Sequence, residues 1–321
     1  MTQGMTNNCA AYKPWLHAVS LLLALATMPL VLSGGLVTST GSGMADPDWN
    51  FTPFRLLTPE GWAEVATQIA LLIEHSHRQI GYLVGIIAMG FAILTMASLQ
   101  GPRRWLGPAV LLAVCLQGAL GAFRIKLHAW FGPQFAMIHG ITGQLTFTCM
   151  VLVSMLLSRG WLEAVPMESL HANKIRRLAF LTAFVTIGQL VAGAALRHMG
   201  GHLLLGIHML LALAVLVHVI LVWARTIDQP SGYLARPALA ALILVALQWL
   251  LGLGAWMVGG GTLALEASQL TKPRIALTTA HQFMGAVILA TVCVVWFRAW
   301  QVLPRGQVAT QTQRQSMEVS A

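Results

Sequence analysis

The chain reads as an all-α membrane protein: eight transmembrane helices forming two pseudo-symmetric four-helix bundles related by a parallel repeat. Three observations predict this. Hydrophobic residues make up 57% of the sequence and charged residues 9%, against about 25% charged in a typical soluble domain. Eight apolar segments are each long enough to cross a hydrocarbon core about 30 Å thick. Matching short motifs recur in the first four and last four of these segments.

The spans are expected at about 15–33, 68–99, 105–123, 135–157, 178–196, 202–224, 237–258 and 275–299, with ends uncertain by about 2–4 residues. Backbone in lipid must satisfy its own hydrogen bonds, so each span is read as a helix. The first follows only Lys13 and runs into Ser33-Gly34-Gly35 with no small-x-small cleavage site, so it is read as a retained helix and not a signal peptide. The third and seventh share a glutamine followed by glycines, Gln117 to Gly121 and Gln248 to Gly252. The fourth and eighth share His139-x-x-x-Gly143 and His281-x-x-x-Gly285. A basic segment around 158–177 joins the halves, dividing the chain into residues 1–162 and 163–321. An even number of spans per half makes the repeat parallel, whereas inverted repeats need an odd number.

The net charge of +9 is a topology signal, not a nucleic-acid footprint. Lys13, Arg103, Arg104, Arg159, Lys174, Arg176, Arg177, Arg225, Arg236, Arg298, Arg305 and Arg314 fall on one side of an eight-span topology, and Asp46, Asp48, Glu60 and Glu64 gather in the first outer loop. The positive-inside rule then puts both termini in the cytoplasm. The cysteines, Cys9, Cys115, Cys149 and Cys293, avoid the outer loops and read as small core residues.

Four histidines carry the chemistry. His77, His139, His208 and His281 each stand near the start of an even-numbered span, all near the outer face. A polar, metal-binding side chain inside a membrane is costly and marks function. Facing helices of a bundle supply ligands to a cofactor between them, and neutral imidazole is a common heme ligand. Four such residues predict two hemes with paired axial histidines. Gly81, Gly143 and Gly285, with Ala212, follow the histidines by four residues and leave room for a flat macrocycle. The competing reading is a set of packing histidines at close helix crossings. Structural zinc prefers four convergent ligands, usually with cysteine, and none accompanies these histidines. In span six, His218 and His202 are the alternatives to His208.

Glu74, His77 and Arg78 share one helix face. Glu74 is either a proton-transfer group beside the first heme or the partner of Arg78 in a local salt bridge. Arg78, Arg124, Lys126 and Arg197 lie at outer helix ends, where Arg suits heme propionates bidentately.

At these residues the chain resembles the heme A synthase family. The matching elements are Gly34-Gly35-Leu36-Val37-x-x-Thr40-Gly41-Ser42-Gly43 leading to Pro47-Asp48-Trp49, then Glu74-x-x-His77-Arg78-x-x-Gly81. His139, Gly193-Ala194-x-x-Arg197, His208 and Thr279-Ala280-His281-Gln282-x-x-Gly285 complete them. The resemblance spans about residues 15–299. It implies oxidation of the C8 methyl of heme O to a formyl group, giving heme A for terminal oxidases. It implies that His77 and His139 bind the farnesylated heme O substrate, assisted by Glu74, and that His208 and His281 bind heme b. It further implies a bacterial cytoplasmic membrane, a heme O synthase as supplier and an electron donor as partner. Some members carry a cysteine pair in the first outer loop, which this chain lacks. An electron-transferring bis-histidine cytochrome and a heme-delivery protein are the competing functions.

Overall fold

The structure, a computed structural model, describes residues 12–46, 58–66, 68–169, 171–228, 232–259 and 271–303. Pro47-Asp48-Trp49, Cys9, Arg305, Arg314 and the side chain of Glu64 lie outside the described residues.

The elements in chain order are α1 (Pro14–Ser39), α2 (Pro59–Ala66), α3 (Ile69–Ser98), α4 (Leu106–Lys126), α5 (His128–Phe131), α6 (Gln134–Leu157), α7 (Arg159–Leu162), α8 (Ala172–Met199), α9 (His202–Thr226), α10 (Ala235–Val258) and α11 (Lys272–Val302). Among the described residues there is no strand. Eight of these helices, α4 extended by a 3₁₀ turn from Gly101, are long and apolar enough to cross a membrane, so this is a multi-pass membrane protein.

Two helices run further than hydropathy predicts. The α1 helix continues through Gly34-Gly35 to Ser39, because Thr38 and Ser39 return their hydroxyls to the carbonyls of Gly34 and Gly35. A side chain that bonds its own helix in this way fits a membrane helix without being apolar. The α8 helix starts at Ala172, so Lys174, Arg176 and Arg177 belong to its first turns. Between α8 and α9 the turn is Gly200-Gly201, both at positive φ (69° and 100°), a backbone region that glycine enters without a Cβ penalty.

Helix α1 packs on α3 and α6, and α4 packs on α3 and α6. Helices α8, α9, α10 and α11 close a second ring in the same sequence of neighbours. The groups meet through α1 and α6 against α8 and α11. Phe147 of α6 fills this seam against Ala286 and Ala290 of α11, with Met28 and Val31 of α1 alongside. Leu23, Val84, Phe91 and Met150 form the core of the first group, and Val215, Val245, Leu289 and Val292 that of the second. Of the three cysteines among the described residues, Cys293 alone is buried. Cys115 and Cys149 are exposed, as lipid tails accept a thiol as readily as a protein core does, and the core assignment is corrected for those two.

The crossing of α3 and α4 is tight at Gly107. A Cβ there would lie 2.7 Å from Ala92 Cα and 2.9 Å from the Phe91 carbonyl oxygen. These are backbone atoms that cannot swing aside. Gly107→Ala is therefore expected to destabilise the protein by about 1–3 kcal/mol, the usual cost of overpacking. A lower unfolding midpoint in detergent checks this, and an unchanged midpoint would contradict it.

Candidate heme-binding chamber

The four histidines form two facing pairs. His77 on α3 and His139 on α6 have ring centroids 6.4 Å apart with planes at 89°. His208 on α9 and His281 on α11 are 6.2 Å apart at 62°. A metal bound between two trans imidazoles needs about 2 Å for each metal–nitrogen bond and about 1.2 Å from each nitrogen to its ring centre. The sum is about 6.4 Å between centroids, close to both pairs. Among the described residues no three His, Cys, Asp or Glu side chains converge on one point. A metal at either pair would thus have two such ligands from the described residues, and a cofactor such as a macrocycle would have to bring the rest.

Space for that macrocycle is present. All four histidines line one cavity of about 1310 Å³, above the roughly 300–1,000 Å³ of a pocket for a single small molecule. Gly81, Gly143, Ala212 and Gly285 line it as well. His218 does not line it: its Nδ1 pairs with the Ala214 carbonyl of its own helix at 2.7 Å. His202 is exposed at the start of α9. Of the three candidates in this helix, His208 is the one whose ring faces another histidine.

Each ring has a polar neighbour from the preceding long helix. Ser33 Oγ lies 3.0 Å from His77 Nδ1 and donates to the Leu30 carbonyl. With that proton committed, the oxygen accepts from Nδ1–H, which leaves Nε2 for a metal. The Gln117 amide lies 3.0 Å from His139 Nδ1 and donates to the His139 carbonyl, and Thr142 donates to its oxygen. Gln189 and Gln248 approach Nε2 of His208 and His281 at 3.3 and 3.2 Å.

Glu74 is 4% exposed and lines the chamber. Its Oε1 accepts from Arg78 at 2.8 Å and its Oε2 from the Asp46 backbone N–H at 2.9 Å. Arg78 also donates to the Asp46 carboxylate at 2.9 Å, and His75 Nε2 lies 3.3 Å from the same carboxylate. The sequence reading missed this clamp, taking Asp46 as a topology charge only. His75 gave no periodic signal, because it stands two residues from His77 on the opposite side of α3.

The arginines divide by role. Arg124 lines the chamber and lies flat on Gly43, where any side chain would collide with the guanidinium. Arg197 reaches out of α8 to the other helix group. It donates to Ser39 Oγ at 2.6 Å and to the Gly35 carbonyl at 3.3 Å, both on α1, and approaches the Thr278 carbonyl of α11 at 3.5 Å. Thr278 and Thr279 donate to the same Ser39 oxygen. Among the described residues no carboxylate pairs with Arg197, and its Nε has no acceptor. A half-buried cation without an anion among the described residues fits a ligand that brings carboxylates. Lys126 does not line the chamber.

The family profile described as cytochrome oxidase assembly protein (COX15-CtaA) matches residues 17–207. This chain belongs to that family. A heme A synthase of Hyphomonas neptunium is 26% identical over 217 residues, 56% of this chain and 58% of the relative. A heme A synthase of Methylobacterium radiotolerans is 30% identical over 156 residues, 46% of this chain and 41% of the relative. The chain thus spans about half the length of these curated relatives in the matched stretches. The family match contains Glu74, His77, Arg78, Arg124, His139 and Arg197 and ends one residue before His208.

Proposed function

We propose that this protein is a heme A synthase-like membrane oxidoreductase that converts the C8 methyl of heme O to a formyl group. The observation that carries the reading is the separation of the two histidine pairs, 6.4 and 6.2 Å between ring centroids, which suits one iron between each pair. His77 and His139, in residues 1–162, bind the substrate heme O. His208 and His281, in residues 163–321, bind heme b. The two parts are the pseudo-symmetric halves. The protein lies in a bacterial cytoplasmic membrane with both termini inside, receives heme O from a heme O synthase and exchanges electrons with a redox partner.

Turning a methyl into a formyl group takes up one oxygen atom, from water in the balanced half-reaction, and releases four electrons and four protons; no side chain here can accept those electrons, and heme iron would supply that redox capacity when bound, with the redox partner as their final acceptor. The chain's own residues orient and exclude. The two imidazoles set each macrocycle across its pocket. Arg124 and Arg197 meet propionates, while Arg78, tied to Glu74 and Asp46, sets the charge at the outer rim. The apolar lining accepts a farnesyl tail from the lipid side. Glu74, at the outer end of the first pocket, holds or moves the proton.

One observation favours the electron-transfer cytochrome instead: both Glu74 oxygens are already engaged by Arg78 and the Asp46 amide. Co-expression with a heme O synthase, followed by pigment extraction, separates the two. Newly formed heme A is the expected result. Heme b and heme O left unchanged would sink the enzymatic reading.

A further inference from the structure

The sequence motif places a glycine, or alanine after His208, one turn after each histidine on its own helix, but the closest glycine to each ring belongs to the preceding long helix. A Cβ on Gly193 would lie 2.8 Å from His208 Cε1, and on Gly252 2.9 Å from His281 Cε1. The corresponding distances are 3.0 Å from Gly34 to His77 and 3.3 Å from Gly121 to His139. One turn before three of these glycines, on the same helix face, stands a glutamine whose amide reaches the same imidazole: Gln117, Gln189 and Gln248. In α1 that place is Leu30, and Ser33 makes the polar contact.

We propose that these glycine–glutamine pairs, Gln189 with Gly193 and Gln248 with Gly252 above all, are positioning residues that fix the imidazole planes of His208 and His281. The inference rests on the heme reading above. The bare glycine backbone lies against Cε1 and Nδ1 of the ring, and the amide meets the neighbouring Nε2, so the two together limit its rotation. A metal bound through a ring nitrogen takes its orientation from such outer contacts, whose loss typically lowers metal affinity or activity about 10–100-fold. Gly193 and Gly252 face a mobile side chain, not backbone. A new methyl there therefore displaces the imidazole and leaves the helix crossing in place.

The test uses the full chain, purified in detergent with heme b bound. Gly193→Ala and Gly252→Ala are expected to lose heme to apomyoglobin about 10–100-fold faster than the parent. Their low-spin ferric signal should also change in g-anisotropy, which reports the angle between the two imidazole planes. Gly121→Ala, with more room, should act more weakly at its own site. Gly188→Ala and Gly254→Ala are the fold controls for the same two helices. Their Cβ atoms would meet only leucine side chains, at 4.0 and 3.5 Å, and parent behaviour is expected. If an alanine variant fails to fold, Gln189→Leu and Gln248→Leu keep the glycine and should show the same faster release and altered signal. Parent release rates and parent spectra in the folded glycine variants, or in the glutamine variants, overturn the proposal. The ligand reading fails separately, if His208→Ala and His281→Ala keep the parent signal.

Discussion

His281→Ala and His208→Ala are each expected to remove the low-spin heme of the second pocket. Each change leaves one imidazole where two now stand 6.2 Å apart, and no third His, Cys, Asp or Glu among the described residues converges there to replace the one removed. Heme b per folded chain, read from extracted pigment, should fall toward zero, with the bis-histidine spectrum lost. His218→Ala is the matched control. Its ring bonds within α9 to the Ala214 carbonyl, so it should keep full heme content. The opposite pattern, loss in His218→Ala and retention in His208→Ala, would show that α9 binds through the deeper residue.

The second large effect is expected at Glu74. If it supports oxidation, Glu74→Gln should lower heme A formed per heme b-loaded chain by about 10²–10⁴-fold, the usual contribution of a positioned acid–base group. Normalising to bound heme b matters, because the pair with Arg78 is not the exposed one that a surface salt bridge would be. With Glu74 at 4% exposure, an amide in place of the carboxylate sets a donor against Arg78 or against the Asp46 N–H. A buried polar group so mismatched costs about 1–3 kcal/mol. Turnover per loaded chain equal to the parent, with only a loss of stability, would assign Glu74 to the clamp alone.

The eight spans were legible because apolar length is a one-dimensional property. Their polar ends were not: Thr38 and Ser39 look like loop residues until their hydroxyls are seen to bond α1 itself. The four ligand candidates were legible for a similar reason, as a histidine inside an apolar run stands out without knowledge of its neighbours. What surrounds them depends on which helices touch. Gln117 and Gln248 were visible only as markers of the repeat, and Gln189, Ser33 and the glycines against each ring gain meaning once α1 faces α3, α4 faces α6, α8 faces α9 and α10 faces α11. Asp46 was misjudged because a charge in a loop carries no sign of the helix that will receive it. Here α3 folds it under Arg78 and His75.

Arg197 has a consequence for the order in which the protein is made. It belongs to α8, yet its acceptors lie in α1, synthesised long before it, and in α11, synthesised last. A guanidinium costs about 2.5–3.5 kcal/mol at the bilayer centre and less at a helix end such as that of Arg197, but its acceptors still favour the closed arrangement. Until α11 inserts and brings Thr278 and Thr279 to Ser39, this cation lacks its full surroundings. Biogenesis should therefore have two stages: α1 receives Arg197 once α8 inserts, and α11 later closes the network over it. A chain stalled before α11 would hold Arg197 on α1 alone, without the Thr278 carbonyl.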